Sequence, residues 1–147
     1  MIIKEFKMKK KGIIVSGYFN PIHKGHIDYF RKAKELGDHL FVIVNNDKQR
    51  ELKKSKKFMN EDERVLIINE LKLVDNVFLS IDKNQSVELS IKELFNTYNK
   101  NYDFFFVNGG DQNNDSIPEV KICKKLGIKL IDGLGDKIQS SSWLLKK

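Results

Sequence analysis

The chain is most easily bounded by what it lacks. With a single cysteine, Cys123, in 147 residues, it can form neither an internal disulfide nor a CxxC metal pair, which agrees with a reducing compartment. No run of about 18 apolar residues exists, so no membrane span is expected. The opening "MIIKEFKMKKKG" has lysines but no apolar stretch or small-residue cleavage site, so a secretion signal is not expected and a cytoplasmic location is. G-x-x-x-x-G-K-[ST] and G-x-G-x-x-G are both absent, which excludes an ordinary P-loop and a dinucleotide fingerprint. No internal repeat or low-complexity linker interrupts the chain.

What remains is the size and composition of one compact domain, residues 1–147, with residues 1–11 as a basic extension. The net charge of +7 suggests nucleic acid until its placement is counted. Residues 1–11 carry +4, Lys146 and Lys147 carry +2, and "KQRELKKSKK" at 48–57 carries +5. These pieces exceed the total, so the rest of the chain is −4. One basic internal loop on a mildly acidic body favours a local anion site over a broad polyanion face, and nucleic acid is disfavoured as a partner.

Apolar runs closed by turn residues read as strands at 12–17, 39–46, 76–81, 102–110 and 128–132. The run at 102–110, the most apolar, is expected to be central. Between the strands, Ile27, Phe30, Ala33 and Leu36 fall at helical spacing, with Gly37 in the place of a C′ stop. Asn60 precedes Glu63 by the three residues of a capping box, opening a helix through about Leu73. Helices are also expected at 86–98, near 116–126 before Gly127, and in the terminal "SSSWLLKK". The segment 48–57 reads as a basic loop. His39 reads as a strand-opening residue, Cys123 as a helix residue, and Trp143 as packing for the terminal helix. Alternation of this kind predicts an α/β fold: a single Rossmann-like domain with a five-stranded parallel sheet and helices on both faces.

In such a sheet, ligands sit beyond the carboxyl ends of the strands, where strand order reverses. Residues 17–26, 45–57 and 108–112 all lie at that rim. The first of these, "GYFNPIHKGH", puts His23 and His26 on one side of a helix start, with Gly25 between them allowing backbone to approach a ligand. A helix start favours phosphate, imidazoles add donors near neutral pH, the lysines of 48–57 add point charge, and Arg64 adds a bidentate fork. No Ser-His-Asp set or carboxylate pair accompanies them. The inventory suits phosphoryl or nucleotidyl transfer, where positioning and charge stabilisation do most of the work.

The stretch "GYFNPIHKGH" resembles the G-x-F-[DN]-x-x-H-x-G-H signature of the HxGH nucleotidyltransferase superfamily, in particular its small cytidylyltransferase-like members. The resemblance runs from strand one to "QSSSWLL". It implies that His23 and His26 contact a triphosphate and stabilise a pentavalent transition state, that Lys53 and Arg64 are the family's loop lysine and helix arginine, and that Gly17, Tyr18, Phe19, Asn20 and Gly25 line the nucleotide. It also implies that "NGGD", with Asn108, Gly109 and Asp111, lies near base and ribose, and that the hydroxyls of Ser140, Ser141 and Ser142 bind phosphates. Tyr18 stands where many members carry Thr or Ser, and Asn20 where most carry Asp. The second lysine of the family pair is left open between Lys54 and Lys56, and Lys137 is the nearest stand-in for an absent arginine. The expected reaction transfers a nucleoside monophosphate from CTP to a small phosphorylated alcohol or sugar and releases pyrophosphate. The alternative is an ATP-dependent adenylyltransferase acting on a sugar 1-phosphate. Mg²⁺ is expected with the nucleotide, with no protein metal cage, and the resemblance permits a homodimer. Two rival classes stand beside this: a nucleic-acid-binding module using the basic segments, and a nucleotide-binding regulator that kept the pocket without catalysis.

Overall fold

The computed structural model describes residues 9–108 and 117–131. Five parallel strands form one sheet in the order β3-β2-β1-β4-β5: β1 Lys10–Gly17, β2 His39–Val44, β3 Asn76–Leu79, β4 Tyr102–Val107 and β5 Lys129–Ile131. The helices are α1 Lys24–Glu35, α2 Asp47–Leu52, α3 Glu61–Asn69, α4 Glu88–Tyr98 and α5 Val120–Leu126. The α/β doubly wound architecture is the expected one. The middle position belongs to β1 rather than β4, since β1 pairs with both β2 and β4 while β4 lies between β1 and β5. Strand order therefore reverses at β1, and the crevice beyond Gly17 and Val107 is the switch point where parallel sheets bind ligands.

The sheet is covered on both faces because alternate residues of each strand supply two separate cores. Ile13 and Val15 of β1 join Leu40, Val42 and Val44 of β2, with Phe30 and Ala33 of α1 and Ile68 of α3. Ile14, Phe41, Ile43, Phe104 and Phe106 face the other way, against Ile91 and Leu94 of α4 and Cys123 of α5. One helix was not anticipated. Asp47–Leu52, read from sequence as part of a basic loop, is helical, and Asn46 caps it reciprocally with Gln49. At the next helix only half of the expected box forms: Asn60 Oδ1 accepts from the Glu63 amide, and the helix stops at Asn69 instead of Leu73. Lys10 and Lys11, read from sequence as part of the basic extension, belong to β1.

Two glycines end helices for different reasons. Gly127 adopts φ +77 after α5 with open space around its Cα, so backbone conformation alone selects it. Gly37 follows Leu36, the residue that closes α1, but a Cβ there would lie 2.8 Å from Ile13 Cδ1 and 2.9 Å from the Lys11 carbonyl oxygen. Close packing on β1 selects that glycine. Gly37→Ala is expected to lower stability in urea unfolding by about 1–3 kcal/mol, and Gly127→Ala by about 1–2 kcal/mol. A Gly37→Ala protein as stable as wild type would contradict the packing assignment.

Candidate active site at the switch point

Where β1 ends, the chain turns sharply across the mouth of the sheet. Phe19 takes the left-handed conformation, φ 53, which costs a non-glycine residue energy. Its ring is repaid by burial, 3% exposed, edge-on to His26 at 5.0 Å and to Phe30 at 5.3 Å between centroids. The ring also covers Gly17, where a Cβ would stand 2.8 Å from Phe19 Cζ. Gly17 and Phe19, expected beside the nucleotide, thus pack against each other beneath the turn and shape it from below.

The two histidines cap their own helix. His23 Nδ1 accepts from the Gly25 amide at 3.0 Å, and His26 Nδ1 accepts from the His23 amide at 3.1 Å. The pair reproduces a capping box with imidazoles in place of the usual Ser and Glu. Because an acceptor nitrogen carries no proton in neutral imidazole, both rings hold their hydrogen on Nε2. The rings lie 3.9 Å apart at 30°. Burial lowers the pKa of His23 and takes that of His26 down to about 4, to which the neighbouring His23 adds. Both are therefore neutral at pH 7, one of the two states open to an imidazole near its ordinary pKa. Gly25 is buried in the first turn.

Arg64 departs most from expectation. Its side chain is not a free fork and pairs with neither Glu61 nor Asp62; at 1% exposure it is buried under the rim. Nε donates to the Met59 carbonyl, Nη1 to the carbonyls of Tyr18 and Asn45, and Nη2 to Asp47 Oδ1 at 2.8 Å. Burial alone would raise the pKa of Asp47, but the Arg64 hydrogen bond, the Glu61 amide and the Arg64 charge outweigh it and leave the carboxyl lowered. Asp47 and Asn45 are thus structural partners that sequence reading missed. A legible signal existed in Asn46-x-x-Gln49, an N-cap pattern that places Asp47 in the first turn of a helix.

Lys53 closes α2, its amide bonded to the Gln49 carbonyl. Its ammonium sits 4.5 Å from the centre of the Tyr18 ring, within cation–π range. The Tyr18 hydroxyl reaches the same Gln49 carbonyl at 3.4 Å. Tyr18 therefore replaces a hydroxyl with a platform that holds a cation at the rim. Asn20, expected beside the nucleotide, bonds through its side-chain amide to the loop at Lys56, Phe58 and Met59. At the end of β4, the Tyr29 hydroxyl donates to the Val107 carbonyl at 2.5 Å, tying α1 to the strand that leads to Asn108, which is 5% exposed. Gly109, Asp111, Ser140, Ser141 and Ser142 lie outside the described residues, as do Lys137 and Trp143. Among the described residues no helix is long and apolar enough to cross a membrane.

The lowered histidine pKa values set a pH dependence. Each folded-state value is below the ordinary 6.5, so the unfolded chain takes up protons first as the medium acidifies. The stability contributed is complete above about pH 6.5 and is lost as the pH falls, for His26 toward about pH 4 at no more than about 1.4 kcal/mol per pH unit, and for the more exposed His23 by less because solvent screens it. Urea unfolding at pH 7 and pH 5 should show this loss. It should be smaller in His26→Gln, because glutamine at that position can keep the reciprocal cap without titrating. An equal loss in both proteins would mean that His26 is not held neutral by the fold.

Comparisons with known proteins agree with this geometry. A sequence model of the cytidylyltransferase-like family matches residues 14–134. The FAD synthase of Picrophilus torridus is 31% identical over 135 residues, covering 88% of this chain and 90% of that protein. The FAD synthase of Aciduliprofundum boonei is 32% identical over 80% of this chain and 73% of its own length. The FAD synthase of Thermococcus sibiricus is 39% identical over 60% of each chain, so the match spans about three fifths of that relative. The crystal structure of the lipopolysaccharide core biosynthesis protein from Thermoplasma volcanium GSS1 has the same fold, with a TM-score of 0.62 at 25% identity, covering 84% of this chain and 95% of that one. With the HxGH helix at the switch point and the family pattern across most of its length, this chain belongs to the cytidylyltransferase-like family of the HxGH nucleotidyltransferase superfamily.

Proposed function

We propose that this protein transfers the adenylyl group of ATP to a small phosphorylated acceptor, with flavin mononucleotide the first candidate, and releases pyrophosphate. The observation that carries the reaction class is the pair of neutral imidazoles whose Nδ1 atoms are committed to backbone amides. That arrangement puts the proton of each neutral ring on Nε2, an N–H of the kind that donates to phosphate oxygens. The choice of ATP over the CTP expected from sequence is supported by relatives named FAD synthases, two of them matched over more than two thirds of their length.

In this reading an oxygen of the acceptor phosphate attacks the α-phosphorus of ATP, the bond from that phosphorus to the bridging oxygen of the β-phosphate breaks, and pyrophosphate departs with the electron pair. The attacking phosphate is already ionised, so no general base is required. His23 and His26 donate to oxygens on which charge grows, and Lys53 offsets the charge of the departing pyrophosphate. Mg²⁺ enters as part of the nucleotide substrate, held by phosphate oxygens. Arg64 acts indirectly, by holding Tyr18 and Asn45 at the strand ends. A sugar 1-phosphate as acceptor is the second reading, supported by the fold shared with the lipopolysaccharide core biosynthesis protein.

Pyrophosphate release measured with ATP, CTP, GTP and UTP against flavin mononucleotide, glycerol 3-phosphate and sugar 1-phosphates tests the proposal. The expected result is turnover with ATP and flavin mononucleotide; turnover confined to a sugar 1-phosphate favours the second reading, and no turnover with any pair removes the catalytic claim. His26→Ala should reduce kcat by roughly 10²–10³-fold, the scale of losing one oxyanion donor. Binding of generic DNA, if any is measured, should not change with it.

A further inference from the structure

We infer that Asn20 is the positioning residue that fastens the lysine loop to the histidine turn. Residues 53–57 carry four lysines around Ser55, and like charges at that density repel each other. Lys54 also sits in the left-handed conformation, φ 61, at a cost no glycine would bear. Something outside the loop has to hold it.

The anchors are visible. Arg50 Nη1 donates to the Ser55 carbonyl at 2.8 Å, but Arg50 Nε is buried with no hydrogen-bond partner among the described residues. Asn20 does more with one side chain: Nδ2 donates to the Lys56 carbonyl at 2.9 Å, while Oδ1 accepts from the amides of Phe58 at 3.1 Å and Met59 at 2.8 Å. A carbonyl at one end and two amides at the other fix the orientation of the Asn20 side chain. These bonds span 36 to 39 residues of sequence. Apolar burial helps at Met59, 9% exposed, but not at Phe58, 71% exposed, so backbone hydrogen bonding holds this part of the loop.

This accounts for asparagine at a position where most members carry aspartate. A carboxylate could still accept from Phe58 and Met59, but it has no donor for the Lys56 carbonyl and would set a charged oxygen against it. Asn20 therefore acts on the reaction through the lysines it places and not by touching the nucleotide. The catalytic part of this inference rests on the proposed nucleotidyl transfer; the mechanical part does not.

Limited trypsin digestion of the full chain without nucleotide, with cleavage read by mass spectrometry, tests the mechanical part. Asn20→Asp should speed cleavage after Lys53, Lys54, Lys56 and Lys57 by about five-fold or more, the scale of one lost hydrogen bond, with cleavage elsewhere unchanged. Asn20→Ser, with a shorter polar side chain, provides the same measurement if the aspartate variant does not fold. Loop cleavage equal to wild type, or acceleration at every site alike in both variants, overturns the inference. For the catalytic part, Asn20→Asp should lower kcat/KM in the wild-type background but by less than two-fold in a background lacking Lys53 and Lys56. Equal losses in both backgrounds would mean that Asn20 acts directly on substrate. A wild-type protein that turns over no substrate pair would sink the functional proposal while leaving the digestion result to stand or fall separately.

Discussion

The rim of this protein depends on one buried cation. Arg64 reaches from α3 under the switch point and gathers the carbonyl ends of β1 and β2, through Tyr18 and Asn45, together with Met59 before α3 and Asp47 in α2. A guanidinium so placed is costly to desolvate and is tolerated because nearly all its donors are met, one of them by a carboxylate. Removing either partner would strand a charge beneath the site. The segments that must meet a ligand together are thereby tied at their roots to a single planar group.

On that base, the start of α1 uses the same hydrogen bonds for architecture and for chemistry. A serine and a glutamate could cap the helix equally well. Histidines there cap it with Nδ1, which commits each ring to the Nε2–H form and to a fixed angle. Desolvation keeps both uncharged in the folded chain, and the nearness of His23 adds to it at His26. In the proposed reaction, neutral donors of this kind meet phosphate oxygens without repelling each other at 3.9 Å. In the proposed reaction the compact charge that meets a polyphosphate comes from the lysine loop, where solvent screens the repulsion among its members.

The layered sheet was legible because its signals are local and periodic. Continuous apolar runs marked strands buried on both faces, and helical spacing of Phe30 and Ala33 marked the face of α1. The histidine pair was legible because two imidazoles around a glycine after a strand have few structural uses. Less visible were the partners that each polar side chain would find. Arg64 read as a fork for phosphate, since nothing near it in sequence announces the carbonyls of Tyr18 and Asn45. Asn20 read as a nucleotide neighbour with a missing charge, although its partners lie in a loop far along the chain. Gly37 read as a left-handed stop, whereas the side chain of Ile13 and the carbonyl of Lys11 exclude a Cβ there.

By itself, the sequence determined the class of fold, the end of the sheet that would carry the site, and the presence of paired imidazoles on a helix start. Each of these follows from periodicity and from residue chemistry within a few positions. Only the tertiary structure decided which cations are spent inward and which remain outward, because that outcome depends on carbonyls left over where strands end and on which side chain lies close enough to satisfy them. Burial settled the charge state of the histidines in the same way, since desolvation belongs to the packed chain and not to any residue in it.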